Sequence, residues 1–193
     1  MSRDLFDWVA RYYERLIPPG ASQELLAMLQ LVDGERVLDL GGGTGRVSQS
    51  FSCQCSLLVL DSSWGMLREA RDKGLLVCCG LAEELPFPDQ SFDRVVMVDV
   101  FHHLLDQRRA LREALRVLRS PGRLVLEEPD IRYAWVKLIA LGERLLRMRS
   151  RFYSLPDLTR LLRSEGAGIL AVDAGREPIY WVAASKEKRS QGA

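Results

Sequence analysis

A glycine-rich stretch directly after an acidic residue is the part of this sequence best suited to chemistry. Residues 37–47 read VLDLGGGTGRV, in which Asp39 closes a short apolar run. The glycines that follow are Gly41, Gly42, Gly43 and Gly45. Glycine is needed where the backbone takes a positive φ or approaches a ligand closely, because a Cβ would clash there. A glycine turn between a strand and a helix also leaves unpaired N–H groups at the helix start. The stretch therefore predicts a ligand-binding loop.

The carboxylate of Asp39 restricts which ligand that loop would take. It repels phosphate and attracts an ammonium or a hydroxyl group, so a nucleoside that carries an amino acid suits the pattern D-x-G-x-G-x-G better than a dinucleotide does. The dinucleotide fingerprint G-x-G-x-x-G fails, because its third glycine would fall at Arg46 or at Ser48. An NAD-dependent oxidoreductase is accordingly disfavoured.

Polar residues also follow the next three apolar runs. Asp61 comes twenty residues after Gly41, about where an acid that binds ribose hydroxyls stands relative to a glycine loop. Residues 81–84, LAEE, follow the third run, and residues 99–103, DVFHH, follow the fourth. Ligands of open parallel sheets bind beyond the carboxyl ends of the strands, so we expect these residues to lie together beside the loop.

Short apolar runs that alternate with helical patterns position these residues and indicate βαβ units. The predicted strands are Arg36–Leu40, Leu57–Leu60, Leu75–Cys79, Arg94–Val98, Arg123–Glu127, Ile169–Val172 and Ile179–Ala183. The predicted fold class is α/β, with a seven-stranded, mostly parallel, doubly wound sheet in three αβα layers.

The clearest helix is predicted over residues 107–119, with Asp106 as its N-cap and Pro121-Gly122 as its stop. Its apolar positions recur at helical spacing and are Leu111, Ala114, Leu115 and Leu118.

Length and charge limit the function classes. A chain of 193 residues favours one domain, and a net charge of +1 gives no support for a stable nucleic-acid partner. No run approaches the ~18 apolar residues of a membrane span, and Met1-Ser2-Arg3-Asp4 is not followed by a signal core. We expect a cytoplasmic protein that is a monomer or a homodimer.

The four cysteines have spacings that disfavour a metal site. Cys53 and Cys55 form C-x-C, and Cys78 and Cys79 are adjacent, whereas zinc knuckles use C-x-x-C. We expect buried thiols that pack as small apolar side chains and predict no metal site.

The motifs together resemble class I S-adenosylmethionine-dependent methyltransferases, most closely the group of small-molecule and ubiquinone/menaquinone C-methyltransferases. The resemblance is carried by Asp39–Gly45, Asp61 with Met66-Leu67, residues 82–89 (AEELPFPD), Ser91-Phe92-Asp93 and His102-His103-Leu104. It is strong over about residues 35–130 and weak over residues 154–184. It implies a Rossmann-like methyltransferase fold with an antiparallel last strand, and S-adenosylmethionine as cofactor with S-adenosylhomocysteine as product. It also implies methyl transfer to a small-molecule acceptor by in-line displacement.

The resemblance further implies roles around the methionine and ribose portions of the cofactor. Gly41, Gly42, Gly43 and Gly45 would let the backbone approach the methionine portion, whose ammonium Asp39 would hold. Asp61 would accept the ribose hydroxyls, with Ser62 and Met66 beside it. Asp99 and Val100 would lie near the methionine portion.

Around the adenine and the transferred methyl, the resemblance implies that Ala82 and Glu83 border the adenine and that His103 lies near the methyl. His103 is therefore the candidate catalytic base, because imidazole suits proton transfer at neutral pH. The alternative is that His102 and His103 cap the loop before the next helix. One departure stands out, since Leu81 occupies the place of the aspartate that usually accepts the adenine amino group.

The predicted organisation is a single methyltransferase domain over residues 1–193. Its parts are an N-terminal helical cap (1–33), a cofactor-binding core (34–130), a helical insertion (131–153), a C-terminal helix with the last two strands (154–184) and a polar tail (185–193). Aromatic residues of the cap and insertion are candidates for an acceptor pocket or for core packing: Phe6, Trp8, Tyr12, Tyr13, Tyr133 and Trp135.

Two further readings stay open at this point. Residues 130–151 carry six basic and two acidic residues, which suits an acidic substrate, peripheral contact with a membrane surface, or a solvated helix face. The alternatives to a small-molecule methyltransferase are a protein that binds S-adenosylmethionine or S-adenosylhomocysteine without transferase activity, and a protein or RNA methyltransferase.

Overall fold

The apolar runs form the strands of one sheet, and helices connect them on both faces. The computed structural model describes residues 20–145, 150–174 and 179–186. The strands are β1 (Arg36–Leu40), β2 (Ser56–Asp61), β3 (Leu76–Cys79), β4 (Phe92–Val98), β5 (Leu118–Pro129), β6 (Ala167–Asp173) and β7 (Ile179–Lys186). The helices are α1 (Gln23–Leu29), α2 (Trp64–Asp72), α3 (Gln107–Val117), α4 (Ala134–Leu145) and α5 (Leu155–Ser164), with 3-10 segments at Ser48–Gln54 and Phe101–His103.

The sheet has the strand order β3-β2-β1-β4-β5-β7-β6. The strands from β3 to β5 are parallel, and β7 runs antiparallel between β5 and β6. The chain goes outward from β1 to β3, then returns to place β4 on the other side of β1. The topological switch point therefore lies between β1 and β4, at the carboxyl ends of both strands, where ligands of such sheets bind.

Apolar side chains on both faces of the sheet form two cores. One core joins α3 and α5 to the sheet through Leu111, Leu158 and Leu126, and the other joins α1 and α2 to it through Leu29 and Leu67 among others. Central strands such as β1 are apolar on both faces because each face is covered by helices. The predicted α/β class with seven strands in three layers is confirmed.

The helix predicted over residues 107–119 forms, but it is shorter than expected. Asp106 is its N-cap, and its Oδ1 accepts a hydrogen bond of 3.0 Å from the Arg109 N–H. The helix ends at Val117 because Leu118 already belongs to β5, opposite Phe92 of β4. The predicted end at Arg119 was therefore wrong, and so was the start of the fifth strand.

The expectation of buried thiols was wrong for Cys53 and Cys79, which are exposed. Cys55 and Cys78 are half-buried and pack against the two cores, and all four are free thiols. Cys79 ends β3, which is an edge strand of the sheet that the described residues form. No helix in the described part of the chain is long and apolar enough to cross a membrane.

Some segments of the predicted domain organisation lie outside the described residues. These segments are residues 1–19, with Phe6, Trp8, Tyr12 and Tyr13, and residues 146–149, 175–178 and 187–193. The predicted division of the domain into parts therefore stays a prediction. The structure gives no side-chain position for Trp135 of the insertion. The predicted insertion contains α4, and the C-terminal part contains α5, β6 and β7.

Candidate active site

The glycine loop turns the chain at the carboxyl end of β1 and brings it against the end of β4. The Gly41 N–H donates to the Leu60 carbonyl at 2.7 Å, which ties the loop to the end of β2. Gly41 has a φ of +75°, and a Cβ there would lie 2.3 Å from the Val100 side chain. Only glycine allows both the positive φ and the close contact with Val100. The glycine at this position therefore allows the carboxyl ends of β1 and β4 to lie close together.

The Asp39 carboxyl lies directly against the loop. A Cβ on Gly42 would stand 2.2 Å from Asp39 Oδ2, which explains the second glycine. Asp39 is buried, and this burial raises the pKa of its carboxyl to about 6. Ser48 lowers that pKa, the Asp61 charge raises it, and the Arg46 charge lowers it. The ionised carboxylate is thus poorly stabilised by its own surroundings, and a cation such as an ammonium group would stabilise it.

Asp61, at the end of β2, is joined to the same loop. The Gly43 N–H donates to Asp61 Oδ2 at 3.0 Å, and the Ser63 N–H donates to Asp61 Oδ1 at 2.8 Å. Gly43 has a φ of +55°, and the atoms nearest to a Cβ there would be Met66 Sδ at 3.9 Å and Asp61 Oδ2 at 4.0 Å. The loop therefore faces Asp61 and Met66 across a small gap, which a Cβ would narrow.

The remaining loop positions serve packing and helix capping. A Cβ on Gly45 would lie 2.2 Å from Leu75 Cδ1, so this glycine lets the loop rest on the segment before β3. Ser62 is exposed, whereas the buried Ser63 caps α2 by accepting from the Met66 N–H at 3.2 Å. The predicted neighbourhood of Asp61, Ser62 and Met66 is present.

The segment after β3 makes a contact that the sequence did not predict. Ala82 is buried and Leu81 is partly exposed. Glu83 Oε1 accepts hydrogen bonds from the backbone N–H groups of Leu105 and Asp106, at 3.0 and 3.2 Å. Glu83 therefore ties the segment after β3 to the loop that leads into α3, and its role beside an adenine ring stays a prediction.

Asp99 supplies a carboxyl group at the end of β4. Asp99 is exposed and has a φ of +54°, which is uncommon for a residue with a side chain. The surrounding protein nevertheless displaces water from its carboxyl and raises the pKa to about 6. The His102 side chain lowers this pKa, while Glu128 and Glu127 raise it.

A buried histidine–carboxylate pair lies behind Asp99 and Val100. His102 Nδ1 and Glu128 Oε2 are 2.7 Å apart, and both side chains are buried. Glu128 Oε1 accepts from the backbone N–H groups of Val100 and Phe101, at 3.0 and 2.7 Å. The His102 ring stacks on Phe152 with a centroid distance of 4.2 Å. Sequence reasoning missed Glu128, although acids at the carboxyl end of the fifth strand satisfy the rule that selected Asp61.

His103 lies beside this pair but has different surroundings. Its Nδ1 is 3.1 Å from Ser150 Oγ. Burial, reinforced by the neighbouring His102, lowers the pKa of His103 to about 3. The imidazole is therefore neutral near pH 7 and binds a proton weakly, which is unfavourable for a general base.

The alternative, that the two histidines cap the loop before α3 through hydrogen bonds, stays a prediction, and two other residues also hold this region. Asp106 caps the helix, and Gln107 holds the loop. Gln107 Nε2 donates to the carbonyls of Phe101 and Arg151, at 2.8 and 2.9 Å. The side chain of His102 contacts Glu128 in the protein interior.

Arg46 and Glu127 complete the charged surroundings, and sequence reasoning missed both. Glu127 Oε2 accepts from Trp181 Nε1 at 2.6 Å and from Ser22 Oγ at 3.3 Å. Burial raises the pKa values of Asp39, Asp99 and Glu127, and the charge of Arg46 partly offsets this rise. One cation next to the glycine loop thus influences carboxyls at the ends of β1, β4 and β5.

The structure brings most of the predicted site residues to one edge of the sheet. The glycine loop, Asp39 and Asp61 meet directly, and Asp99 and Val100 adjoin them at the end of β4. A backbone that allows close approach, a carboxyl that favours a cation and a second carboxyl beside a loop N–H together fit a nucleoside with an attached amino acid. These are the chemical features of S-adenosylmethionine.

Comparisons with known proteins give the same assignment. A family model described as a methyltransferase domain matches residues 38–126. The chain is 37% identical over 139 residues to a demethylmenaquinone methyltransferase of Thermobifida fusca, a match that covers 64% of this chain and 59% of that protein. It is 35% identical over 157 residues to the ubiquinone/menaquinone biosynthesis C-methyltransferase UbiE of Xanthomonas campestris, covering 70% of this chain and 62% of that protein. The chain thus spans about three fifths of the length of these curated relatives.

A solved structure shares the whole fold. The crystal structure of an S-adenosylmethionine-dependent methyltransferase from Thermotoga maritima, described as a possible histamine N-methyltransferase, superposes with a TM-score of 0.81. The match has 24% sequence identity and covers 97% of this chain and all of that one. At this level of identity the likeness shows the fold alone.

Proposed function

Because the chain belongs to the class I S-adenosylmethionine-dependent methyltransferases, we propose that it transfers a methyl group from S-adenosylmethionine to a small-molecule acceptor. The observation that carries the proposal is the meeting of the glycine loop with Asp39 and Asp61 at the switch point of the sheet. S-adenosylmethionine supplies a methyl group already activated by its sulfonium, and S-adenosylhomocysteine is the product.

The residues that would hold the cofactor follow from the site. Asp39 would bind the ammonium group, which would offset the cost of its burial. Asp61 would accept the ribose hydroxyls while the Gly43 and Ser63 N–H groups hold the carboxylate in place. Ser62, Met66, Ala82 and Glu83 would border the adenosine. Asp99 and Val100, with Gly41, Gly42 and Gly45, would surround the methionine portion.

For the acceptor we propose a hydrophobic quinol that is methylated on carbon. The support is the identity of 35–37% to two quinone C-methyltransferases over most of the core. Exposed apolar side chains after the carboxyl ends of β4 and β5, Leu105 and Tyr133, are consistent with an apolar acceptor. A basic amine such as histamine is the contrasting acceptor class.

A ring carbon that gains a methyl group must lose a proton, and the site offers two groups that accept one. His103 is the base expected from the sequence, but its pKa is lowered to about 3. The Asp99 carboxyl has a pKa of about 6 and is exposed at the end of β4. A pKa near the working pH favours Asp99 as the general base, with His103 as the second candidate.

The test is a transfer assay with S-adenosylmethionine labelled in its methyl group. Reduced demethylmenaquinone in detergent micelles and histamine are offered as separate acceptors. We expect label in the quinol product, formed in equal amount to S-adenosylhomocysteine, and no label in histamine. Asp61→Asn should abolish transfer, whereas the matched Asp72→Asn, at the exposed end of α2, should not. Cofactor binding without turnover of either acceptor would instead favour the non-catalytic binding protein.

A further inference from the structure

Several large apolar side chains of the described residues are exposed on the side of the molecule that carries the candidate active site. Six of eleven large exposed apolar residues come after the carboxyl ends of β2 to β5. They are Trp64, Leu81, Leu105, Tyr133, Leu138 and Leu141. Three of the six, Tyr133, Leu138 and Leu141, come from the single segment that follows β5.

Helix α4 carries two exposed leucines on this side. Leu138 and Leu141 are 70% and 53% exposed, and they lie three residues apart on the same face of the helix. Val136, on the opposite face, is fully buried and anchors the helix to the protein. The apolar face of α4 therefore has no partner among the described residues.

The segment that carries α4 leaves the sheet and returns to it at the same place. The Ile131 N–H donates to the Tyr153 carbonyl at 3.4 Å, which closes the segment after β5. The Arg151 N–H donates to the His102 carbonyl at 2.7 Å, which joins its end to the site. α4 is thus attached directly beside the candidate active site.

The charge of this segment selects an anionic partner. Residues 130–151 contain six basic and two acidic residues, although the whole chain has a net charge of only +1. One of the two acids, Asp130, is buried and bound to Arg132. Lys137 and Arg151 are exposed on the same segment. Of the other acidic residues on this side, Glu83, Glu84 and Asp106 lie toward α3, and Asp61 and Asp99 lie in the candidate active site.

We propose that the α4 face, defined by Tyr133, Lys137, Leu138 and Leu141, docks on the surface of an anionic lipid bilayer. Exposed leucines beside basic residues are typical of helices that lie in the membrane interface. Docking would place the active-site side against the bilayer. The protein would dock on the bilayer whether or not it transfers methyl groups. The further idea that docking delivers a lipophilic acceptor to the active site rests on the proposed function.

Vesicle flotation without cofactor or acceptor tests the proposal independently of activity. The full chain is mixed with phosphatidylcholine vesicles that contain or lack phosphatidylglycerol. We expect flotation with the anionic vesicles, reduced by added salt. Leu138→Gln/Leu141→Gln should weaken binding about tenfold or more, because glutamine keeps helix propensity and removes the apolar contact. Lys137→Glu should weaken it about fivefold or more.

The matched control is Val32→Gln/Leu76→Gln, which changes two residues that are 61% and 68% exposed at the amino ends of β1 and β3. This variant should bind vesicles like the unmodified chain, and melting curves should show that all variants fold. Failure of the unmodified chain to float, equal flotation with neutral vesicles, or equal loss in both double variants would overturn the proposal. A dimer in solution that only the α4 variant dissociates would also overturn it, because the face would then bind a second copy.

Discussion

His102 Nδ1 lies 2.7 Å from Glu128 Oε2 in the protein interior, and this contact joins the ends of β4 and β5. The other Glu128 oxygen accepts from the Val100 and Phe101 N–H groups, so one carboxylate makes three polar contacts with the turn after β4. That turn directly follows Asp99 and leads to His103. Glu128 is therefore a positioning residue for the side of the site where the acceptor would bind.

Glu128→Gln is expected to destabilise the protein and to slow transfer. A glutamine has one acceptor oxygen instead of two, so it either loses the contact with His102 Nδ1 or must donate its amide N–H there, at about 1–3 kcal/mol of unfolding free energy. Urea unfolding measures this loss. Because Asp39, Asp61 and the glycine loop make no contact with Glu128 in the structure, kcat should fall more than the affinity for S-adenosylmethionine. Glu84→Gln, which changes an exposed carboxylate, is the control, and equal behaviour of both variants would remove the positioning role.

Asp39→Asn is expected to stabilise the protein and to impair cofactor binding. The Asp39 pKa of about 6 lies above its ordinary value of 3.8, so the folded state holds this proton more tightly than the unfolded chain does. Stability is therefore lost as the pH rises from about 4 to above 6, and asparagine does not undergo this loss. At pH 8 the variant should gain up to about 3 kcal/mol of unfolding free energy, and below pH 4 the gain should vanish.

Denaturant unfolding at both pH values, with and without S-adenosylmethionine, measures this effect. The cofactor should stabilise the unmodified chain and not the variant. Asp72→Asn, at an exposed position, should show neither change. A variant less stable than the unmodified chain at pH 8 would mean that the buried carboxylate does not destabilise the fold.

The pH dependence of transfer should identify the base. A carboxylate accepts a proton only when ionised, so kcat/KM should increase with pH through about 6 if Asp99 is the base. Asp99→Asn should remove this dependence and lower the rate about 10²- to 10⁴-fold. His103→Gln should retain the dependence. If His103→Gln removes the pH dependence and Asp99→Asn retains it, His103 is the general base instead of Asp99.

Leu81→Asp should supply an acceptor for the adenine amino group, at the position where the family resemblance implies an aspartate. Leu81 is partly exposed, so an aspartate can be placed there without burying its charge. One added hydrogen bond predicts about two- to tenfold tighter binding of S-adenosylhomocysteine. An analogue with hypoxanthine in place of adenine should not gain affinity. Leu105→Asp, in the neighbouring loop, is the control and should not bind S-adenosylhomocysteine more tightly. If Leu81→Asp binds S-adenosylhomocysteine and the hypoxanthine analogue equally more tightly, the gain is a general charge effect and not a hydrogen bond to the amino group.

Most of the fold could be predicted because apolar runs and turn residues follow directly from strand and helix packing. The boundary between α3 and β5 could not, since Leu118 fits the apolar face of the helix as well as the interior of the strand. Cys79 was expected to be buried because its run is apolar, but burial also depends on whether a strand is central or at an edge.

The position of a candidate site residue was predictable where one acidic residue alone follows a strand, as Asp61 does at the end of β2. The site was not predictable where two adjacent acidic residues of one strand point to opposite faces of the sheet. Glu127 and Glu128 point to opposite faces of β5, so only Glu128 reaches His102, while Glu127 contacts Ser22 and Trp181. The sequence alone does not show which of two adjacent acids or histidines lies on which face.

Calorimetric titration with S-adenosylmethionine and S-adenosylhomocysteine tests the cofactor assignment most directly. The assignment predicts saturable binding at one site, weakened about 100-fold by Asp61→Asn, which loses charge-assisted hydrogen bonds, and unchanged by Asp72→Asn. A folded chain that binds neither compound, or an Asp61→Asn variant that binds both like the unmodified chain, would contradict it.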